Sequence, residues 1–148
     1  MTAGATSSAF LGLRIGAELA AVRVLNDLFE VAMRALGLGD DLRHDLTLGI
    51  AELVANVCEH EAGGSDGEVD VRLDVSEREV RVTVVSSGDG FDLQGAIERA
   101  QARDPFEALE ADDEGGRGLL LLVGMFDEVR LDRDGGKNRI TLRRARPA

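Results

Sequence analysis

The alternation of apolar and polar residues between positions 69 and 84 constrains the fold more than any other feature of this sequence. Valine or leucine occupies every second position in two short runs, which are joined by the polar segment "SERE" (76–79). Successive side chains of a strand point to opposite faces, so each run predicts a strand with one buried face. Together they predict an antiparallel hairpin whose buried positions are Val69, Val71, Leu73, Val75, Val80, Val82 and Val84.

Two helices and a strand are predicted before this hairpin. Leucine and isoleucine alternate with other residues in "FLGLRI" (10–15), which indicates a strand. From Glu18 to about Leu36, apolar residues recur at intervals of three and four, as on one face of a helix. A second helix begins at the acidic pair Asp40–Asp41, because carboxylates favour a helix N-terminus, and it ends near His60 before the glycine-rich "AGGSDG".

After the hairpin, the pattern predicts two helical segments and a second hairpin. A helix is predicted over 93–103, and the apolar run "LLLLVGM" (119–125) predicts a buried helix. The segment 127–144 contains two strands joined by the turn "DGGK". This order predicts the α/β fold class, a two-layer α/β sandwich in which helices cover one face of a mixed sheet. We assign residues 1–9 to a flexible tail and 10–146 to one domain.

Charge and composition restrict the classes of partner. The net charge of −11 repels phosphate backbones, so we predict neither direct nucleic-acid binding nor attachment to an anionic membrane. The N-terminal "MTAGATSSAF" has neither the basic start nor the apolar centre of a signal peptide. The single Cys58 cannot form an internal disulfide, which suits a reducing compartment. We therefore expect a cytoplasmic protein that acts on other proteins.

A polar stripe lies on the second helix, in the segment "ELVANVCEH". Glu52, Asn56 and His60 are four residues apart, so a helix places them on one face. One interpretation is the exposed side of a helix that packs on a sheet. A zinc site is disfavoured, because the stripe offers a single histidine. A third interpretation is catalytic: the amide oxygen of Asn56 suits a magnesium ion shared with phosphates, and the carboxylate of Glu52 can deprotonate a nucleophile.

Two glycine clusters favour the third interpretation. The segment "SSGDGFD" places Gly88 and Gly90 after a strand, where a ligand can approach the backbone closely. The segment "EGGRGLL" places Gly115, Gly116 and Gly118 before a helix, where free N–H groups attract phosphate. Each cluster alone is weak, because turns use glycine routinely. Their order behind Glu-x-x-x-Asn-x-x-x-His predicts a nucleotide pocket.

From about residue 10 to 145 the sequence resembles the GHKL (Bergerat-fold) ATP-binding proteins, and among them the RsbW/SpoIIAB-type anti-sigma-factor serine kinases. "ELVANVCEH" is similar to the N box of that family, "SSGDGFD" to its G1 box, and "GGRGLLLLVGMFDEV" to its G2 box. The resemblance implies a histidine-kinase-like ATPase fold with ATP between the helices and the sheet. It also implies a lid, which we place at residues 95–116.

The resemblance assigns roles to individual residues. Glu52 becomes the catalytic base for a substrate serine, and Asn56 becomes the Mg²⁺ ligand. The residues implied in binding ATP are Asn56, Ser86, Gly88, Gly90, Gly115, Gly116 and Gly118. Arg117, inside the second glycine cluster, is a further candidate for a phosphate contact, and the alternative is an exposed basic residue at the end of a loop. The implied activity is partner switching: a homodimeric kinase sequesters an RNA polymerase sigma factor and phosphorylates a STAS-domain anti-anti-sigma protein.

Two positions depart from the family pattern. Ser86 stands where the G1 box usually has an aspartate that accepts a hydrogen bond from the adenine amino group. Serine is shorter and uncharged, and losing a charge-assisted hydrogen bond costs about 1.5 to 3 kcal/mol. Asn138 and Arg139 occupy a segment where relatives often carry a threonine near the nucleotide. The alternative hypothesis is therefore a catalytically degenerate regulator that sequesters its partner with weak or no ATP binding.

Overall fold

A computed structural model of the chain describes residues 9–60, 67–87, 98 and 122–146. Its elements follow the predicted order, and a helical turn over 122–125 precedes β4. The bounds are β1 Ala9–Gly16, α1 Leu19–Ala35, α2 Asp40–His60, β2 Glu68–Val75, β3 Glu79–Ser87, β4 Glu128–Asp134 and β5 Lys137–Ala145. The predicted tail lies outside the described residues except for Ala9, and the predicted helix over 93–103 lies outside them except for Glu98. The division into tail and domain stays a prediction.

The five strands form one sheet in the order β1-β2-β3-β5-β4. All four pairings are antiparallel, so the two-layer α/β prediction is confirmed and the mixed sheet is wrong. The reason lies in the connection from β1 to β2. A single crossover helix returns the chain to the end where the first strand began and makes the strands parallel. Two successive helices, α1 and α2, bring the chain back to the end where β1 finished. β2 therefore starts at that end and runs antiparallel to β1.

The core lies between the two helices and one face of the sheet. Every second residue of β2 and β3 is buried there, as the alternation predicts. Fully burying a large aliphatic or aromatic side chain contributes about 1.5 to 3 kcal/mol. The largest fully buried side chains include Leu25, Phe29 and Met33 from α1, Leu46, Ile50 and Leu53 from α2, and Leu73, Ile140 and Leu142 from the sheet. This packing fixes which face of α2 is turned outward.

The other face of the sheet is charged. Arg14 on β1 donates from Nε to Oδ1 of Asp70 on β2 at 2.7 Å, and this hydrogen bond raises the pKa of Arg14. A groove on this face is lined largely by charged side chains of β2, β3 and β5. It is therefore separated by the sheet from α2 and the polar stripe. Within the described part of the chain, no helix is both long and apolar enough to span a membrane.

Candidate functional site

Glu52 and Asn56 lie one turn apart on α2, at the border between the core and the outside. Both side chains are half-buried, whereas Leu53, Val54 and Val57 beside them are buried. The backbone at His60 continues the helix, but its side chain is outside the described set. The structure therefore places the first two members of the predicted stripe on one face of α2, partly exposed at the edge of the core.

The side chain of Asn56 is incompletely satisfied. Its Nδ2 is buried and has no hydrogen-bond partner among the described residues. A buried donor without a partner costs about 1 to 3 kcal/mol, so a residue kept in this condition suggests a use beyond packing. The oxygen at the other end of the same amide is the type of ligand that Mg²⁺ accepts.

The described residues do not form a metal cage by themselves. Among them, no group of three or more His, Cys, Asp or Glu side chains is arranged to hold an ion. Magnesium commonly takes one or two protein oxygens and completes its coordination with phosphates and water. A site with Asn56 as its protein ligand fits such an ion, and it does not fit a structural metal held by protein alone.

Ser86 lies at the end of β3 on the face that packs against the helices. Its side chain is buried, and its cross-strand partners are Val69 on β2 and Asn138 on β5. One residue later β3 ends at Ser87, and the chain enters the predicted G1 glycines. Ser86 therefore lies where the sequence predicts the base side of a nucleotide pocket.

The C-terminal half of α2 lies toward the same end of the molecule as Ser86 and its cross-strand partners. α2 ends at His60, and a short connection leads to β2, which starts at Glu68. The next residue of β2, Val69, pairs directly with Ser86. Ala17 and Gly67 are joined at this end by a backbone hydrogen bond of 2.9 Å. The short connection therefore brings the polar stripe and the end of β3 to one side of the domain.

A third segment reaches α2 at Gly49, one turn before Glu52. Leu122, which begins the helical turn over 122–125, and Phe126, which follows that turn, are both buried. A Cβ atom on Gly49 would lie 2.7 Å from Cε2 of Phe126 and 3.2 Å from Cδ2 of Leu122. Only glycine permits this approach. The sequence reasoning missed Gly49, although an isolated glycine inside a helical pattern often marks close packing.

Asn138 is the second residue that the sequence reasoning undervalued. The family pattern marks this position as a departure but does not predict its burial. The structure places it opposite Ser86 with its side chain only 1% exposed. The signal was present in the alternation of β5, because Asn138 shares its phase with the apolar Ile140 and Leu142.

The remaining predicted site residues lie outside the described part of the chain. The structure thus places Glu52 and Asn56 together on α2, and Ser86 at the same end of the domain. The positions on which it gives no information are Gly88, Gly90, Gly115, Gly116, Arg117 and Gly118. Their roles stay predictions.

Residues 15–144 match the family of histidine kinase-like ATPase domains. The chain belongs to this family. Among curated proteins of this type, the serine-protein kinase RsbW of Bacillus licheniformis is 32% identical over 103 residues, which are 68% of this chain and 64% of that protein. The serine-protein kinase RsbW of Bacillus subtilis strain 168 is 26% identical over 128 residues, 86% of this chain and 80% of that protein. The first of these matches thus spans just under two thirds of the relative.

Two solved structures share the fold. The structure of the RsbU and RsbW domains of Rv1364c from Mycobacterium tuberculosis superposes with a TM-score of 0.65 at 18% identity, covering 95% of this chain and 34% of that one. A chain of the SiaB–SiaC complex from Pseudomonas aeruginosa gives a TM-score of 0.61 at 16% identity, covering 91% and 89%. At these identities the likeness shows the fold alone.

Proposed function

We propose that this protein is an ATP-dependent serine/threonine protein kinase and anti-sigma factor of a partner-switching system. In this proposal it sequesters a sigma factor and phosphorylates a STAS-domain anti-anti-sigma protein. The observation that carries the proposal is the half-buried pair Glu52 and Asn56 on α2, in a histidine kinase-like ATPase domain with similarity to serine-protein kinases. The pair offers a base and a metal ligand one helical turn apart.

The chemistry assigned to these residues is simple. Glu52 accepts the proton of the substrate serine hydroxyl as its oxygen attacks the γ-phosphorus of ATP and ADP leaves. The Oδ1 atom of Asn56 would hold Mg²⁺, which would supply neutralisation of charge on the phosphates. The glycines at 88, 90, 115, 116 and 118 and the guanidinium of Arg117 contact the nucleotide. Phosphoryl transfer requires mainly positioning and charge stabilisation, and this set of groups supplies both.

A second candidate is a regulator that keeps the fold and the partner but has lost catalysis. Ser86 favours it, because the position lacks the carboxylate that the family uses for adenine. This candidate predicts sequestration without nucleotide dependence.

The two candidates are separated by nucleotide binding and transfer. We expect calorimetry with ATP and Mg²⁺ to show a Kd in the micromolar range, about −8 kcal/mol of binding free energy. We also expect labelled ATP to phosphorylate the cognate STAS protein, and not its variant in which the acceptor serine is alanine. Absence of binding at millimolar ATP contradicts the kinase and supports the sequestering module.

The proposed homodimer is supported by an exposed apolar stripe on α1. Val24, Leu28 and Val31 lie on one face of the helix and are 57%, 47% and 67% exposed. This face points away from the core, which takes Leu25 and Phe29 from the same helix. A contiguous apolar surface of this kind marks an interaction site, and a second copy of the chain can cover it symmetrically.

We expect Val24→Lys with Val31→Lys to convert the dimer to a monomer. Two buried ammonium groups at a symmetric interface would face the same groups of the partner copy, so association weakens by at least about 100-fold. Sedimentation velocity measures the change, and Glu30→Lys on the polar side of the same helix is the matched control. A wild-type protein that sediments as a monomer at all concentrations contradicts the proposed dimer.

The proposed location is the cytoplasm, and the proposed partners are proteins. The net charge of −11 supports this, since such a chain repels nucleic acid and anionic lipid.

A further inference from the structure

We propose that the side-chain amide of Asn138 reads the base edge of the bound nucleotide. The inference rests on the proposed ATP binding and deepens it. Asn138 is 1% exposed, yet among the described residues neither its Nδ2 nor its Oδ1 has a hydrogen-bond partner. It therefore presents a donor and an acceptor, both unused, inside the domain.

An amide in this condition is costly for the fold. Buried polar side chains are hydrogen-bonded in nearly all proteins, and an amide that forms no bonds loses its hydration without compensation. The next inward positions of β5, Ile140 and Leu142, are filled by aliphatic side chains that are fully buried. An aliphatic residue at 138 would continue that core, so packing alone gives no reason for asparagine.

The position of Asn138 fits a ligand at the end of the sheet. It pairs directly with Ser86, the last inward residue of β3 before the G1 glycines. Side chains of directly opposed residues have Cβ atoms about 4.5 to 5.5 Å apart. Serine is short, so a flat ligand seated over Ser86 comes within reach of the longer amide on β5.

The amide matches adenine better than a carboxylate does. Its oxygen accepts and its nitrogen donates, side by side. Adenine offers an amino donor at C6 and an acceptor at N1, which is the complementary pair. Asparagine is accordingly a common partner of adenine edges, although on DNA it uses N7 rather than N1. A carboxylate offers acceptors only.

This chemistry also changes the expected base selectivity. Rotation of the amide by half a turn exchanges its oxygen and nitrogen, and the pair then matches the keto oxygen and N1–H of hypoxanthine. The Asn138 site is therefore expected to bind ATP and ITP with similar affinity. Purine riboside triphosphate has no group at C6, loses one hydrogen bond, and is expected to bind more weakly than either.

Calorimetry on the full chain with Mg²⁺ and these three nucleotides tests the inference. We expect the wild-type Kd values for ATP and ITP to agree within about tenfold. Asn138→Leu keeps the size of the side chain and removes both bonds, so it is expected to weaken ATP binding by at least about tenfold. The same variant is expected to raise the melting temperature of the nucleotide-free protein. Thr141→Val, an isosteric change on the opposite face of β5, is the control and is expected to change no affinity.

The outcomes separate this inference from the proposed function. If wild type binds ATP and Asn138→Leu retains its affinity within about threefold, the inference is wrong and the kinase proposal stands. If wild type binds none of the nucleotides, both are wrong. Asn138→Ala needs no extra space and repeats the test should the leucine variant not fold; it too is expected to weaken ATP binding, and retained affinity overturns the inference.

Discussion

Replacing Glu52 with glutamine is expected to lower phosphoryl transfer to the substrate serine by at least about 100-fold. Glutamine keeps the shape of the half-buried side chain but cannot accept the serine proton at neutral pH. Because the proposed mechanism has Glu52 act on the hydroxyl and not on the nucleotide, ATP affinity is expected to change little. Single-turnover transfer of labelled phosphate, measured beside calorimetric ATP binding, separates the two quantities.

Asn56→Ala is the companion variant, and unlike Glu52→Gln it is expected to weaken ATP binding. Removing the amide oxygen takes away the proposed protein ligand of Mg²⁺, so ATP affinity should fall in Mg²⁺ and stay unchanged in excess chelator. The matched control for Glu52→Gln is Glu30→Gln, which makes the same chemical change on the partly exposed side of α1. This control should leave phosphoryl transfer intact. Normal transfer by Glu52→Gln would show that this carboxylate is not the base.

Gly49→Val is expected to disturb both the stability of the domain and the nucleotide site. The added side chain begins 2.7 Å from the ring of Phe126, so this buried ring, which follows the turn over 122–125, must shift. Overpacking of this kind costs about 1 to 3 kcal/mol, and the better helix propensity of valine offsets only a few tenths. Phe126 and the turn before it come a few residues after the predicted phosphate-binding glycines in the sequence, so we expect weaker ATP binding as well.

Urea unfolding and ATP calorimetry measure the two effects of Gly49→Val. The matched control is Gly124→Ala, because Gly124 lies in the same helical turn and a Cβ atom there meets nothing within 4 Å. Adding Phe126→Leu to Gly49→Val makes room for the new methyl groups, and part of the lost stability should return as a coupling energy between the two positions. Additive effects of the two substitutions would contradict the contact.

The elements of the fold were predictable because the local signals agree. The alternation at 69–84 places Val71 and Val82 inside, and the acidic pair at 40–41 marks the beginning of α2, as the structure confirms. The relative direction of the strands could not be predicted from such local signals. It depends on how many helices the connection contains and where they return the chain, and no residue within a strand encodes that.

The candidate site was predictable only in part. Spacing along one helix brought Glu52 and Asn56 together, because four residues make about one turn. The close approach at Gly49 involves Leu122 and Phe126, which are far away in the sequence, so no local pattern around Gly49 predicts it. The burial of Asn138 likewise depends on which segments cover β5, although its position two residues before Ile140 places it on the same, inward face of the strand.

The pairing of β3 with β5 has a consequence for how this domain can diversify. It joins two hairpins, and the chain leaves the first at Ser87 and starts the second at Glu128. The entropy lost in closing such a connection grows with the logarithm of its length, and each doubling costs only about 0.6 kcal/mol. Insertions or deletions between these two points therefore cost the sheet little free energy. Changes of length in the segment that carries the predicted nucleotide-binding glycines can therefore leave the strands on either side in register.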